Sequence, residues 1–512
     1  MMATTPAAPT ATRLPLLAVL SAMAGFLAWQ VLAFLRAGTF EYPLDDPYIH
    51  LAMAEGIANG TYGINPGEPA SAASSIIYPV LLLPFVGSEF QRFLPLLWNI
   101  GALALLALTW GRIVRDARLP NGLALFCAAV GPIALAMPFV AALGMEHTLH
   151  ALAVAVLVQA LWRFLTTGTI GYALILSAIL APLLRYEGLA LSLLAAATLV
   201  WRGRIASGVA LGAAILAGPA LFGLFLLGQG LDPLPSSVLA KMGDETRSLS
   251  PLLNILKVAG GSGAGIFFSA VAMLLLTLVT PTVWSNRNLR LILGIVTMAV
   301  LAQVLAGNAF WFNRYEHYAM VMIGTVLVIA LPHLSDRLKQ VFKVAMLIWA
   351  LGYGWYNAVF YSWNPRSVLL EQEQMARLTD LLPGEAVAVN DIGKVSWKRD
   401  VLVLDLWGLA SREARLARLP GKGSVPSTEW AGALVREHGV RYAMIYDEWI
   451  AGGIGHDWRP VVRLTMEPEQ GLEGGAFVTI YATDPGFEPE LRAAIDKLRP
   501  TLPEGAVLTD LN

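Results

Sequence analysis

The chain has very little cysteine and little charge. Cys127 is the single cysteine in 512 residues, which excludes an intramolecular disulfide and any cysteine-based metal cluster. Charged residues make up 14%, against about 25% in soluble globular domains. The net charge of −1 leaves no bulk basic surface, so nothing in the composition argues for nucleic acid. What is present is apolar: 56% hydrophobic residues and a mean hydropathy of +0.61. Because Asp, Glu, Lys and Arg are costly in hydrocarbon, this composition predicts a chain that is mostly embedded in a membrane.

The charge that exists is unevenly spread. Roughly half of the Lys, Arg, Asp and Glu residues fall after residue 364, in less than a third of the chain. That shift predicts a membrane region followed by a soluble domain. The expected divisions are a disordered Ala/Thr/Pro-rich N-terminus at 1–13, a transmembrane domain at 14–364 carrying an outer loop at 37–75, and an α/β domain at 365–512.

Residues 14–35 form an apolar run of bilayer-crossing length, flanked by Arg13 and Arg36. It reads as a retained first helix and not as a cleaved signal. Further runs lie near 92–111, 121–139, 148–164, 169–184, 188–201, 206–227, 262–282, 288–306, 318–332 and 340–361, giving about eleven spans. The run at 76–87 carries Pro79 and Pro84 and reads as a juxtamembrane or re-entrant segment. Arg112, Arg115 and Arg118, then Arg202 with Arg204, Arg287 with Arg290, and Arg337, Lys339 and Lys343 mark four basic loops. The positive-inside rule places these in the cytoplasm, which puts loop 37–75 and the C-terminal domain outside. In the tail, 386–389, 401–405, 442–446 and 477–482 read as buried strands, and 428–438 and 488–498 as helices.

Polar residues stand where apolar ones would cost less. LDDPYIHLAMAEGIANG supplies Asp45, Asp46 and His50. GMEHTLH supplies Glu146, His147 and His150, and LLRYEG supplies Arg185 and Glu187. LPSSVLAK supplies Ser236, Ser237 and Lys241, and NAFWFNRYEHY supplies Asn308, Arg314, Tyr315, Glu316 and His317. On the topology above, all lie at the outer ends of helices. Arg and Lys bind phosphate, and a carboxylate can take a proton from a hydroxyl. Such a set at one membrane face suggests glycosyl transfer from a lipid-phosphate sugar.

These motifs resemble those of the polytopic GT-C glycosyltransferases, which use polyprenyl-phosphate sugars, and are nearest to the bacterial arabinofuranosyltransferase and mannosyltransferase branches. The acidic pair of LDDPYIHLAMAEGIANGTYGINPGE is similar to their first outer loop. GMEHTLH, LLRYEG, LPSSVLAK and VNDIGKVSW with VLDLWGLA are similar to four further motifs in the same order. Tyr186 replaces the family's usual Pro, Ser236 its Asn and His147 its Thr. The resemblance implies a GT-C membrane domain of about eleven helices with a C-terminal extracytoplasmic α/β domain, set in the bacterial inner membrane with its active site on the periplasmic side. It implies inverting transfer of a hexosyl or pentosyl group from a polyprenyl-phosphate donor to an extracytoplasmic glycan, lipid or protein.

Roles follow with their plainer alternatives. Asp45 is expected to be the general base or to orient the acceptor hydroxyl, with Asp46 supporting; Asp46 before Pro47 is equally a helix N-cap. Arg185, Lys241 and Arg314 are the expected phosphate ligands, although Arg185 with Glu187 also reads as an ion pair stapling a turn, and Lys241 as an exposed solvated lysine. His50, Glu146, His147, Glu187, Tyr315, Glu316 and His317 are expected around sugar or acceptor. Glu146 with His147 equally reads as a paired helix start. Asp45, Asp46 and Glu146 are hard oxygen donors suited to Mg²⁺, Mn²⁺ or Ca²⁺, so a divalent cation is an open option. Asn390, Asp391, Asp405 and Trp407 read as acceptor surface or as ordinary turn chemistry. Two other functions stand beside transfer: a lipid-linked glycan transporter or flippase, and a glycan ligase or polymerase. A transporter would carry charges near the membrane midplane and repeated halves, and the sequence has neither pattern.

Overall fold

The computed structural model describes residues 13–242, 263–307, 311–418, 427–468 and 475–511. The N-terminal segment expected to be disordered, apart from Arg13, and Asn308 lie outside these residues. The chain divides into two compact units: Met1–Gln30, Leu96–Ala220 and Ser250–Ala358 form the first; Val31–Pro95, Leu221–Leu249 and Val359–Asn512 form the second.

The first unit is helical. A helix stands at each of the eleven expected runs: Leu14–Ala37, Leu94–Asp116, Asn121–Ala134, His147–Thr167, Tyr172–Leu184, Gly188–Trp201, Ile205–Gly228, Ala264–Val279, Arg287–Ala306, His317–Ala330 and Asp336–Val359. Six spans among the described residues are long and apolar enough to cross a membrane; four more apolar helices are shorter. The third run is broken after Ala134 and resumes as Met137–Ala141, because Ala136 takes a left-handed conformation (φ 55°) before Pro138. Large apolar side chains such as Leu16, Leu27, Leu221, Leu224 and Trp355 remain exposed, which is the surface a lipid-facing helix presents. The 76–87 run holds only the four-residue helix Tyr78–Leu81, far too short to cross.

The second unit is built on a six-stranded mixed sheet of order β2-β1-β3-β5-β4-β6. Its strands are β1 (Val387–Val389), β2 (Val403–Asp405), β3 (Tyr442–Ile445), β4 (Arg459–Met466), β5 (Val478–Ala482) and β6 (Ala506–Asp510). β1 pairs in parallel with β2 and β3, and the remaining pairs are antiparallel. Successive strand residues face opposite sides, so Val387 and Val389 enter one core while Ala388 enters the other. The first core also takes Met375 and Leu378 from helix Gln372–Asp380, and Leu491 and Ile495 from helix Glu488–Leu498. It further takes Ile49, Ala52, Met53, Ile64, Ala72 and Ala73 from the first loop. The loop at 37–75 is thus part of the same folded body as the tail that follows it some 300 residues later in sequence. Full burial of each aliphatic side chain contributes about 1.5–3 kcal/mol, so Ile49 and Met53 fix helix Asp46–Ala58 to this core.

Candidate functional site

In the helical unit, Arg185 ends helix Tyr172–Leu184 in an extended conformation. Its guanidinium bridges two carboxylates: Nη1 donates to Glu146 Oε1 at 2.6 Å and Nη2 to Glu187 Oε1 at 2.7 Å. Glu146 precedes helix His147–Thr167 and Glu187 precedes helix Gly188–Trp201, so one arginine joins the starts of two helices to the end of a third. Both acids and the arginine contribute to a buried ion set, with Glu146 at 0% and Arg185 at 6% exposure. In the turn, burial opposes ionisation of Glu187, but the charge and hydrogen bond of Arg185 prevail and hold its carboxyl at about 2.

Tyr315 is the other centre of this cluster. Arg185 lies 5.7 Å and Arg314 5.0 Å from its ring centroid, and Arg314 Nη2 donates to its hydroxyl at 3.2 Å. The His147 ring meets Tyr315 edge-on at 6.0 Å, and His150 packs against Tyr318 at 4.8 Å. The Tyr318 hydroxyl donates to Gln303 Oε1 at 2.9 Å. Glu316 and His317, at the start of helix His317–Ala330, are buried. The structure therefore gathers Arg185, Arg314, Glu146, Glu187, His147 and Tyr315 inside one apolar body. Gln303 also belongs to it; the sequence reading passed over it because one Gln in an apolar helix carries no motif.

In the second unit the first loop's acids meet the turn after β1. Helix Asp46–Ala58 begins at Asp46, and the residue before it, Asp45, makes no side-chain cap. Asp46 is the first helical residue, and Asp45 before it has a duty that the sequence did not reveal. Its carboxylate turns away from its own helix and accepts the backbone amides of Gly393 and Lys394, the latter at 2.7 Å. Asp45 is 1% exposed. Burial pushes its carboxyl above the usual range, opposed by a proton shared with the Asp391 carboxyl and by hydrogen bonds from the two amides. Asp46 beside it is half-buried. Gly393 is required by this approach: a Cβ there would lie 2.2 Å from the Asp45 carbonyl oxygen.

The same turn is held at two further points. Lys394 Nζ donates to Glu41 Oε2 at 2.6 Å and lies 3.0 Å from Glu373 Oε2, over the Tyr48 ring. Glu55 Oε2 accepts the Lys398 amide at 2.8 Å. His50 is buried; its Nε2 lies 3.3 Å from Ser74 Oγ and its ring meets Tyr78 edge-on. Ser236 and Ser237 bond to Ser71 and the Ala73 carbonyl. Lys241 falls on the helix Ser236–Met242, with its side chain outside the described residues. Asn390 stitches β1 to β3 through both backbone groups of Tyr446. Asp405 accepts the amides of Trp407, Gly408 and Ala410, which is turn chemistry. Among the described residues no three His, Cys, Asp or Glu side chains are gathered as a metal ion would need.

This architecture has a counterpart among solved structures. Over 91% of this chain and 98% of the other, it superposes on ArnT from Cupriavidus metallidurans bound to undecaprenyl phosphate, with a TM-score of 0.52 and 13% identity. The apo form of the same ArnT gives a TM-score of 0.49 and 12% identity over 91% of this chain and 97% of that one. At such identity the likeness establishes the fold alone. Residues 363–481 match a family model described as a domain of unknown function, DUF8728. No curated protein matches in sequence.

Proposed function

We propose that this protein is an inner-membrane glycosyltransferase that takes a sugar from a polyprenyl-phosphate donor and passes it to an extracytoplasmic glycan, lipid or protein. The observation that carries this reading is the buried set of Arg185 and Arg314 around Tyr315 in the helical unit. Ionisable residues within a membrane-spanning body mark functional sites, and guanidinium geometry matches phosphate. The sequence motifs and the undecaprenyl phosphate held by the ArnT structure agree with it.

In this reading Arg314 is the first phosphate ligand. Arg185, held in place by Glu146 and Glu187, is the second. His147, Tyr315, Glu316 and His317 surround the sugar. The role of the loop-one acids rests on the sequence motif: Asp45 secures the turn at Gly393 and Lys394, which leaves Asp46 as the general base. Asp46 takes the acceptor's hydroxyl proton as that oxygen bonds to the anomeric carbon. The bond from the anomeric carbon to the phosphate oxygen breaks, inversion results, and polyprenyl phosphate leaves with the electron pair. The site faces the periplasm, where the donor is lipid-borne.

Donor recognition is tested by native mass spectrometry of the full chain with undecaprenyl phosphate. Wild type should retain the lipid, Arg314→Ala should lose most of it, and Trp355→Ala on the exposed apolar surface should not. Equal retention of undecaprenyl phosphate and a neutral polyprenol would overturn the phosphate assignment.

A further inference from the structure

Far along the loop-one helix from the acids lies an open groove of about 570 Å³, within the second unit and of the size small-ligand sites occupy. One wall is the end of helix Asp46–Ala58 with the loop behind it; the other is the turn at Ser396–Asp400. The first wall is tightly built: a Cβ on Gly56 would lie 1.9 Å from the Gly63 carbonyl oxygen. The groove is therefore a formed feature of the loop.

Two of its lining groups lack partners among the described residues. The Ser396 hydroxyl is buried, on a residue 3% exposed, and has no hydrogen-bond partner. Arg399 Nε is also without one, while the rest of that guanidinium is committed to the Lys394 and Trp397 carbonyls and to Asp380. A buried unsatisfied polar group costs about 1–3 kcal/mol, so an arriving ligand that bonds Ser396 recovers that loss. Across the groove Glu55 presents a carboxylate, held on one oxygen by the Lys398 amide. The lining cations Lys398 and Arg399 are already paired, with Glu89 and Asp380, and stand beside the acids Glu55 and Asp400. That disfavours a phosphate or other anionic ligand. Ala52, Ile64 and Val86 supply little apolar surface, which disfavours an acyl chain. A ligand with both donors and acceptors, no net charge and little hydrocarbon remains.

We propose that this groove binds a neutral, hydroxyl-rich saccharide, as a subsite for the acceptor glycan. The assignment as acceptor subsite rests on the transferase reading; the binding of a neutral saccharide does not.

The test is saturation-transfer NMR on the full chain in nanodiscs, with neutral disaccharides of mannose, galactose, glucose and arabinose and one glucuronate-containing disaccharide. Wild type should bind at least one neutral member saturably and the glucuronate member more weakly. Asn59→Trp, placed at the exposed rim, should weaken binding at least tenfold without lowering the melting temperature. Ser396→Ala should weaken it about fivefold, the loss of one hydrogen bond of about 1 kcal/mol. No binding by any neutral member, unchanged binding in Asn59→Trp, or preference for the glucuronate member would overturn the proposal. Retention of undecaprenyl phosphate is read in a separate experiment, so a failed groove and a failed donor site are distinguishable.

Discussion

The Asp45 carboxylate accepts the amide of Lys394 at 2.7 Å, across 349 positions of sequence. One buried acid thus ties the first outer loop to the turn that follows the first strand of the tail. Removing it with Asp45→Ala leaves two buried amides without acceptors. Hydrogen bonds to a charged group contribute about 1.5–3 kcal/mol each, so the second unit should lose about 3 kcal/mol or more. Tryptophan-monitored unfolding reads this directly. Asp46→Asn, one residue away, should abolish transfer.

Gly393→Ala should cost about as much as Asp45→Ala, because the new methyl group meets the Asp45 backbone and carboxylate at 2.2–2.8 Å. The double variant should be less destabilised than the sum of the two singles, since both act on one contact. Additive losses in a double-mutant cycle would show that the two residues act separately.

Glu146→Gln should destabilise the helical unit. Breaking one partner of a buried ion pair typically costs about 3–5 kcal/mol; Glu146 is 0% exposed at 2.6 Å from Arg185, but Glu187 still pairs that arginine at 2.7 Å, so the loss should stay below that range. Thermal unfolding in nanodiscs measures the loss. Arg185→Lys should recover little, because one ammonium cannot bridge Glu146 and Glu187 as a planar fork does.

The Glu187 carboxyl sets a pH dependence. Its folded value falls from the ordinary 4.5 to about 2, so the folded state binds fewer protons than the unfolded one between these values. The resulting stability is present above about pH 4.5 and is lost as pH falls towards 2. Melting temperatures of wild type between pH 5 and 3 should fall more steeply than those of Glu187→Gln.

The helices were legible because apolar runs of bilayer length have few other uses. Four strands were legible from continuous apolar stretches such as Tyr442–Ile445. β4 was missed because Arg459 and Arg463 interrupt it; Arg463 lies over the Phe477 ring and so leaves the strand's buried positions intact. β6 is a short edge strand with an exposed end. The polar residues of the helical cluster were found as motifs, but their pairing was not, since the Arg185 fork to Glu146 depends on how three helix ends meet. Least legible was the duty of Asp45. Its partners are backbone amides, which every residue but proline carries and no residue type announces.

The central claim is transfer from a lipid phosphate, and one measurement addresses it most directly. Purified full-length protein in nanodiscs is given radiolabelled polyprenyl-phosphate sugars and a membrane glycolipid extract. The account predicts label moving to the glycolipid fraction with wild type, and no movement with a folded Asp46→Asn that still retains donor. Label that stays on the donor with wild type, while lipid-linked glycan crosses the bilayer, would contradict it.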